Sequence, residues 1–206
     1  TKIDEQTVGF YIAPKLNSIG RMDSAKLGLT FLMAEEPVTA RALAEQIEQY
    51  NIQRKQVTED IVKDVISKIE NSEKKQKNVI MVSGEYHEGV LGIVASNIVE
   101  KYQKPVFIMN EKEGVLKGSA RSIFDFNIYI AMNKISDLFL AFGGHTLAAG
   151  FSFEKSNFEK IEEFLDKEFE EFKQNNDLKA NKNIDIVTSL EDISYQFLNS
   201  LDALKP

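Results

Sequence analysis

Residues 40–69 run without a single glycine or proline, and their apolar members Leu43, Ile47, Tyr50, Val57, Ile61, Val65 and Ile69 recur at helical steps. That spacing predicts one amphipathic helix with a single apolar stripe. Pro37 and Thr39 mark its start, with Thr39 in position to cap it, and the polar run at 71–78 marks its end. At 1.5 Å per residue the helix spans about 45 Å, longer than the radius of a small domain. It is therefore expected to connect two bodies.

The pattern changes after this helix. Residues 79–82 read as an apolar strand, 90–102 as a helix and 106–109 as a second strand introduced by Pro105, a strand-helix-strand unit whose length favours parallel pairing. Residues 115–122 read as a further strand and 128–140 as a helix. Residues 143–150 read as a glycine-bounded turn with a short helix, followed by a strand through Phe151 and Phe153. Ser156 and Glu159 have capping-box spacing before a helix that carries Phe158, Ile161, Leu165, Phe169 and Phe172 on one face. The expected fold is α/β: a long connecting helix, then a domain with a central mixed sheet flanked by helices. Residues 174–183 are polar and read as a linker, and 184–206 are too few to build a core of their own.

Composition limits what such a chain does. There is no cysteine, which excludes disulfides, thiol nucleophiles and cysteine-bound zinc. No apolar run approaches the roughly 20 residues of a membrane helix, and residues 1–10 lack the features of a signal peptide, so no membrane contact and a cytoplasmic location are expected. The formal charge of −7 argues against a broad basic face for duplex DNA, so any contact with nucleic acid must be local. Of four arginines, Arg21 and Arg121 sit in motifs of small residues.

Three motifs and one histidine are candidates for chemistry. In Gly143-Gly144-His145-Thr146-Leu147-Ala148-Ala149-Gly150 the paired glycines permit close backbone approach, and amides at a helix start, with His145, would cradle an anion such as phosphate. In Gly118-Ser119-Ala120-Arg121-Ser122 a guanidinium stands between the hydroxyls of Ser119 and Ser122, a planar donor set matched to phosphate oxygens. In Leu16-Asn17-Ser18-Ile19-Gly20-Arg21, Asn17 and Arg21 could both reach a phosphate or a base. His87 lies in a strand-to-helix turn of the kind that faces ligands. Each pattern alone is equally served by a tight turn, a surface ion pair or a solvated loop. With two histidines in all, no histidine-rich metal cluster can be assembled.

Taken in order, LNSIGR at 16–21, YHEGVLGIVAS at 86–96, GSARS at 118–122 and GGHTLAAG at 143–150 resemble the RecJ exonucleases of the DHH phosphoesterase family. The resemblance covers nearly the whole chain. It implies that residues 1–23 end a DHH catalytic domain, 24–77 form the connecting helical segment, 78–173 form the DHH-associated substrate-binding domain, and 174–206 are a linker and the start of an OB-type domain. It implies a single-strand-specific 5′ to 3′ exonuclease of DNA repair and recombination. In it Arg121, Ser119, Ser122, His145, Gly143 and Gly144 hold phosphates, and Asn17 and Arg21 face the same cleft; His87 is counted with them as a substrate-binding candidate. The partners implied are single-stranded DNA and the DHH and OB-type domains of the same polypeptide. The Asp-His-His triplet and aspartate motifs that hold Mn2+ or Mg2+ in the family do not occur here. These residues are accordingly expected to bind no cofactor and to be inactive alone. A DHH-family oligoribonuclease or cyclic dinucleotide phosphodiesterase, and a non-enzymatic nucleic-acid-binding module, are the competing readings.

Overall fold

The apolar repeat does form one helix. In the computed structural model, which describes residues 3–123, 125–176 and 184–204, it is α3, Pro37–Glu70, about 50 Å long. Its first residue is not the one expected. Glu36 occupies the N-cap and Pro37 the first helical position, where a missing N–H costs no hydrogen bond, so Thr39 lies inside the helix and caps nothing. Before it a π-helical turn, Thr7–Ile12, runs into α1, Ala13–Met22, and α2 follows, Lys26–Leu32.

The sheet comes next. Strand β1 is Ile80–Gly84, helix α4 is Leu91–Tyr102, and strands β2 and β3 are Val106–Lys112 and Val115–Arg121. Helix α5, Ile128–Asn133, is shorter than the expected 128–140, and strands β4, Ala141–His145, and β5, Ala148–Glu154, precede α6, Phe158–Asn175. The five strands are ordered β1-β2-β3-β5-β4; β1 and β2 pair in parallel across the α4 crossover, and the other pairs are antiparallel. The fold is thus the expected mixed α/β sheet flanked by helices behind a long helix.

Local chemistry explains the joints. The β2–β3 hairpin turns at Glu113 and Gly114, with φ of 52° and 79°, the conformation a two-residue hairpin needs to follow strand twist. Gln103, φ 52°, closes α4 in the left-handed conformation. Ser156 and Glu159 do not form a capping box: 155–157 make a short 3-10 turn and no side chain caps α6. The helix instead captures the start of β1, because Asp166 accepts hydrogen bonds from the backbone N–H groups of Asn78 (2.6 Å) and Val79 (3.0 Å).

Each face of the sheet has its own core. On one, Met81, Phe107, Met109, Leu116, Ala120, Phe151 and Phe153 pack against α5 and α6 through Ile128, Met132, Ile161, Leu165 and Phe169. On the other, Ile80, Val82, Val106 and Ile108 pack against Val94, Ala95 and Ile98 of α4 and against Ile61, Val65 and Ile69 of α3. The last turns of the long helix are therefore built into the sheet domain. Of the expected linker, 174–176 end α6 and 177–183 lie outside the described residues. Helix α7, Tyr195–Asp202, follows, with no buried residue.

Candidate functional site

The largest departure from the sequence reading is at residues 143–150. They form no helix: Gly143, Gly144 and His145 finish β4, Thr146 and Leu147 make the turn, and Ala148 begins β5. Among the described residues positive φ occurs only at Gln103, Glu113 and Gly114, so the paired glycines serve another purpose. A Cβ on Gly144 would lie 2.3 Å from the Ala148 carbonyl oxygen and 2.6 Å from the Ala149 Cα, so this glycine permits close strand pairing. A Cβ on Gly143 or Gly150 would meet nothing within 4 Å. The hairpin tip is fixed by N–H donation from Ser122 to the Leu147 carbonyl (2.9 Å) and from Ile128 to the Thr146 carbonyl (3.0 Å).

Strand register then assembles the site. Val106, Arg121, Ala148 and His145 lie in one row across β2, β3, β5 and β4, and Ile108, Ser119, Gly150 and Gly143 lie in the next. Directly opposed residues of antiparallel strands project from the same face. Val106 and Ile108 belong to the core under α4, so Arg121, Ser119, Gly143, Gly150 and His145 all face that side. Two inter-strand spacings put the Arg121 and His145 backbones about 10 Å apart. Helix α4 packs over β2 and β3, while Gly143, His145 and Gly150 are exposed. The outcome is an open floor of glycine and alanine between a guanidinium and an imidazole.

Arg121 sits at the covered edge of this floor. A Cβ on Gly92 of α4 would lie 2.8 Å from the Arg121 Nη2 and 3.6 Å from the Ser119 Oγ, so the missing side chain is the space the guanidinium occupies. Nη1 donates to the Ala120 carbonyl at 2.8 Å. Burial, and secondarily the nearby Arg21 charge, lowers the pKa of Arg121 from its usual value. Arg21, on α1, donates to the Gly89 carbonyl at 3.1 Å, and its own carbonyl lies where a Gly89 Cβ would be, at 1.9 Å. His87 opens the same turn, its Nδ1 accepting from the Gly89 N–H at 3.2 Å. Asn17 is exposed one helical turn before Arg21.

The sequence candidates thus divide. Arg121, Ser119, His145 and Gly143 share one face, with Arg21, Asn17 and His87 at its α1 and α4 border. Ser122 and Gly144 do not join them. Ser122 is buried and its hydroxyl donates to the Phe126 carbonyl at 2.9 Å, which makes it a loop support. Gly92, Asn51 and Arg54 were missed. The last two carried a signal, since with Thr58 they interrupt the buried face that Ile47, Ile61, Val65 and Ile69 define on α3.

The charges are one-sided. All ion pairs formed among the described residues use lysine, including Lys117 with Glu88 at 2.6 Å; Arg21, Arg54 and Arg121 have no carboxylate partner there. Clustered cations lacking counter-ions, beside an open floor, suit an anion. Among the described residues no three His, Asp or Glu side chains come together to hold a metal ion. None of the described helices is long and apolar enough to cross a membrane.

Residues 75–172 match the DHHA1 domain. The single-stranded-DNA-specific exonuclease RecJ of Bacillus subtilis is 30% identical over 205 residues, 98% of this chain and 26% of that protein. RecJ of Haemophilus influenzae is 36% identical over 160 residues, 73% of this chain and 28% of that protein. Among solved structures, RecJ of Thermus thermophilus in complex with Mg2+ matches with a TM-score of 0.73 and 29% identity, over 81% of this chain and 26% of that one. Its complex with Mn2+ gives a TM-score of 0.72. The molecule is therefore an α/β protein built on a DHHA1 domain. Over nearly its whole length it is similar to the RecJ exonucleases, and it spans about a quarter of the length of the relatives it matches. The side chains described here do not fit a seat for the Mg2+ or Mn2+ of the Thermus structures.

Proposed function

We propose that this segment grips the phosphates of single-stranded DNA for a RecJ-like 5′ to 3′ exonuclease of DNA repair and recombination. Residues elsewhere in the same polypeptide, holding the metal ions, carry out the hydrolysis. The observation that carries this reading is the single row, on one open face, of Arg121 and His145, with Arg21 beside them and no carboxylate among them. A flexible backbone of evenly spaced anions can lie over this floor of glycine and alanine. Arg121 offers the planar fork, Ser119 a hydroxyl at its side and His145 a second donor at the far strand. On this reading 78–173 form the binding domain, 24–77 the connector, 1–23 the end of a DHH domain and 174–206 a linker and the start of an OB-type domain, in the cytoplasm. Hydrolysis then needs metal-holding residues elsewhere in the polypeptide, and the segment by itself is proposed to be inactive.

Steady-state degradation of a single-stranded oligonucleotide by the complete polypeptide tests this. Arg121→Gln is expected to lower kcat/KM about 10- to 100-fold, the worth of one charged hydrogen-bonded contact. An unchanged kcat/KM removes Arg121 from the substrate path and with it the proposal.

A further inference from the structure

Arg54 is a charged side chain with too few partners. It stands midway along α3, in the part of the helix that packs on α1, and it is half-buried. Its Nη2 donates to the Asn51 Oδ1 at 3.1 Å, and its Nε, shielded from solvent, has no hydrogen-bond partner. Asn51 is itself 3% exposed. The nearest carboxylate in this chain of contacts is Glu48, which accepts from the Asn51 Nδ2 at 3.4 Å and is already held by Lys15 at 2.5 Å. Burial lowers the pKa of Arg54 below its usual value, and the Arg21 charge adds to that effect. Tyr50, one turn before Arg54 on α3, donates to Asp23, two residues after Arg21, at 2.8 Å, so this part of α3 packs on the end of α1 that carries Arg21.

A guanidinium taken partly out of water, with an idle donor and like charges for neighbours, is unfavourable until an anion arrives. The carboxylates that form ion pairs elsewhere on the described surface are all taken by lysines, and none reaches these three arginines. Arg54 also interrupts the buried stripe of α3 where an apolar residue would pack without cost.

We propose that Arg54 is a third phosphate-binding side chain of this site, reaching from the long helix to the DNA strand that Arg21 and Arg121 hold. The proposal rests on the reading above that the ligand is single-stranded DNA. It makes α3 part of the binding surface as well as a connector, so the strand would run from the sheet towards the long helix.

Binding of an oligothymidylate to the complete polypeptide, measured by fluorescence anisotropy over a range of salt, separates the two claims. Each lost phosphate contact on a single strand reduces the slope of log K against log salt by about 0.7, whereas a merely structural defect leaves that slope unmoved. Arg54→Gln is expected to weaken binding about tenfold and reduce the slope by that amount; Arg54→Lys keeps the charge and should keep the slope. Asn51→Asp sets a carboxylate against Nη2 and should reduce the slope as Arg54→Gln does, which decides the matter if the glutamine variant fails to fold. An unchanged slope in Arg54→Gln and Asn51→Asp, while Arg121→Gln lowers it, overturns the role of Arg54 alone. No change with Arg121→Gln overturns the underlying reading as well.

Discussion

At the scale of single residues the site depends on a side chain that is absent. Gly92 leaves on α4 the volume that the Arg121 guanidinium fills beside Ser119. Replacing it with alanine adds a carbon 2.8 Å from Nη2, and the flexible end of Arg121, not the backbone, must give way. Alanine favours helix over glycine by up to about 1 kcal/mol, so Gly92→Ala should leave the melting temperature unchanged or raise it while weakening single-strand binding. A large loss of stability, or unaltered binding, would contradict that placement of Arg121. Sequence alone could offer Arg121 as a phosphate ligand because arginine between hydroxyls and glycines is a chemical pattern. It could not separate Ser119 from Ser122, since nothing local shows that β3 stops at Arg121 and that the Ser122 hydroxyl turns inward to the Phe126 carbonyl.

At the scale of elements, the two adjacent glycines of β4 have opposite duties. Gly144→Ala forces a contact with the backbone of β5 and should cost several kcal/mol in denaturant unfolding. Gly143→Ala points into open space and should fold normally while crowding the floor where the strand lies. Equal effects of the two on stability would show that the β4–β5 register is wrong. The residues of this hairpin were read as turn and helix because glycines and alanines lack a two-residue apolar alternation. Its strand character comes from pairing with Ala149 and Ser152, which local pattern does not reveal. By contrast α3 and β1-α4-β2 were legible, since their periodicity is long or strongly apolar.

The junction of α3 with the sheet also has a pH signature. The Tyr86 hydroxyl donates to Asp64 and accepts from Lys68 at 2.8 Å, and Lys68 also donates to the Ser83 carbonyl at 3.2 Å. Burial, reinforced by Asp64, pushes the Tyr86 hydroxyl up to about 12, while Lys68 is raised as well, its bonds to Asp64 and Tyr86 outweighing its own burial. A group whose pKa is raised on folding contributes fully below its unfolded value and loses that contribution as pH climbs to the folded one. Stability should therefore fall between about pH 10 and 12, by on the order of 2 kcal/mol for Tyr86. Tyr86→Phe should flatten that fall in alkaline denaturation, and an identical profile in the two proteins would remove Tyr86 as its source.

At the scale of the whole molecule, a net charge of −7 coexists with a local cationic site because the arginines and lysines are used differently. Among the described residues lysines pair with carboxylates around the surface, whereas Arg21 and Arg121 lie without a carboxylate partner where α1, α4 and β3 meet. The sheet has two faces with separate cores, and on the α4 side the β4–β5 end is left open. Composition pointed to a local contact; only the fold could show that residues 21 and 121, far apart along the chain, both lie beside the start of α4. A crystal structure of the complete polypeptide with a short single-stranded oligonucleotide tests this most directly. The account predicts a phosphate within about 3 Å of the Arg121 guanidinium and the strand lying over Gly143 and Gly150 towards His145. A strand bound instead against α5 and α6, with Arg121 still facing solvent, would contradict it.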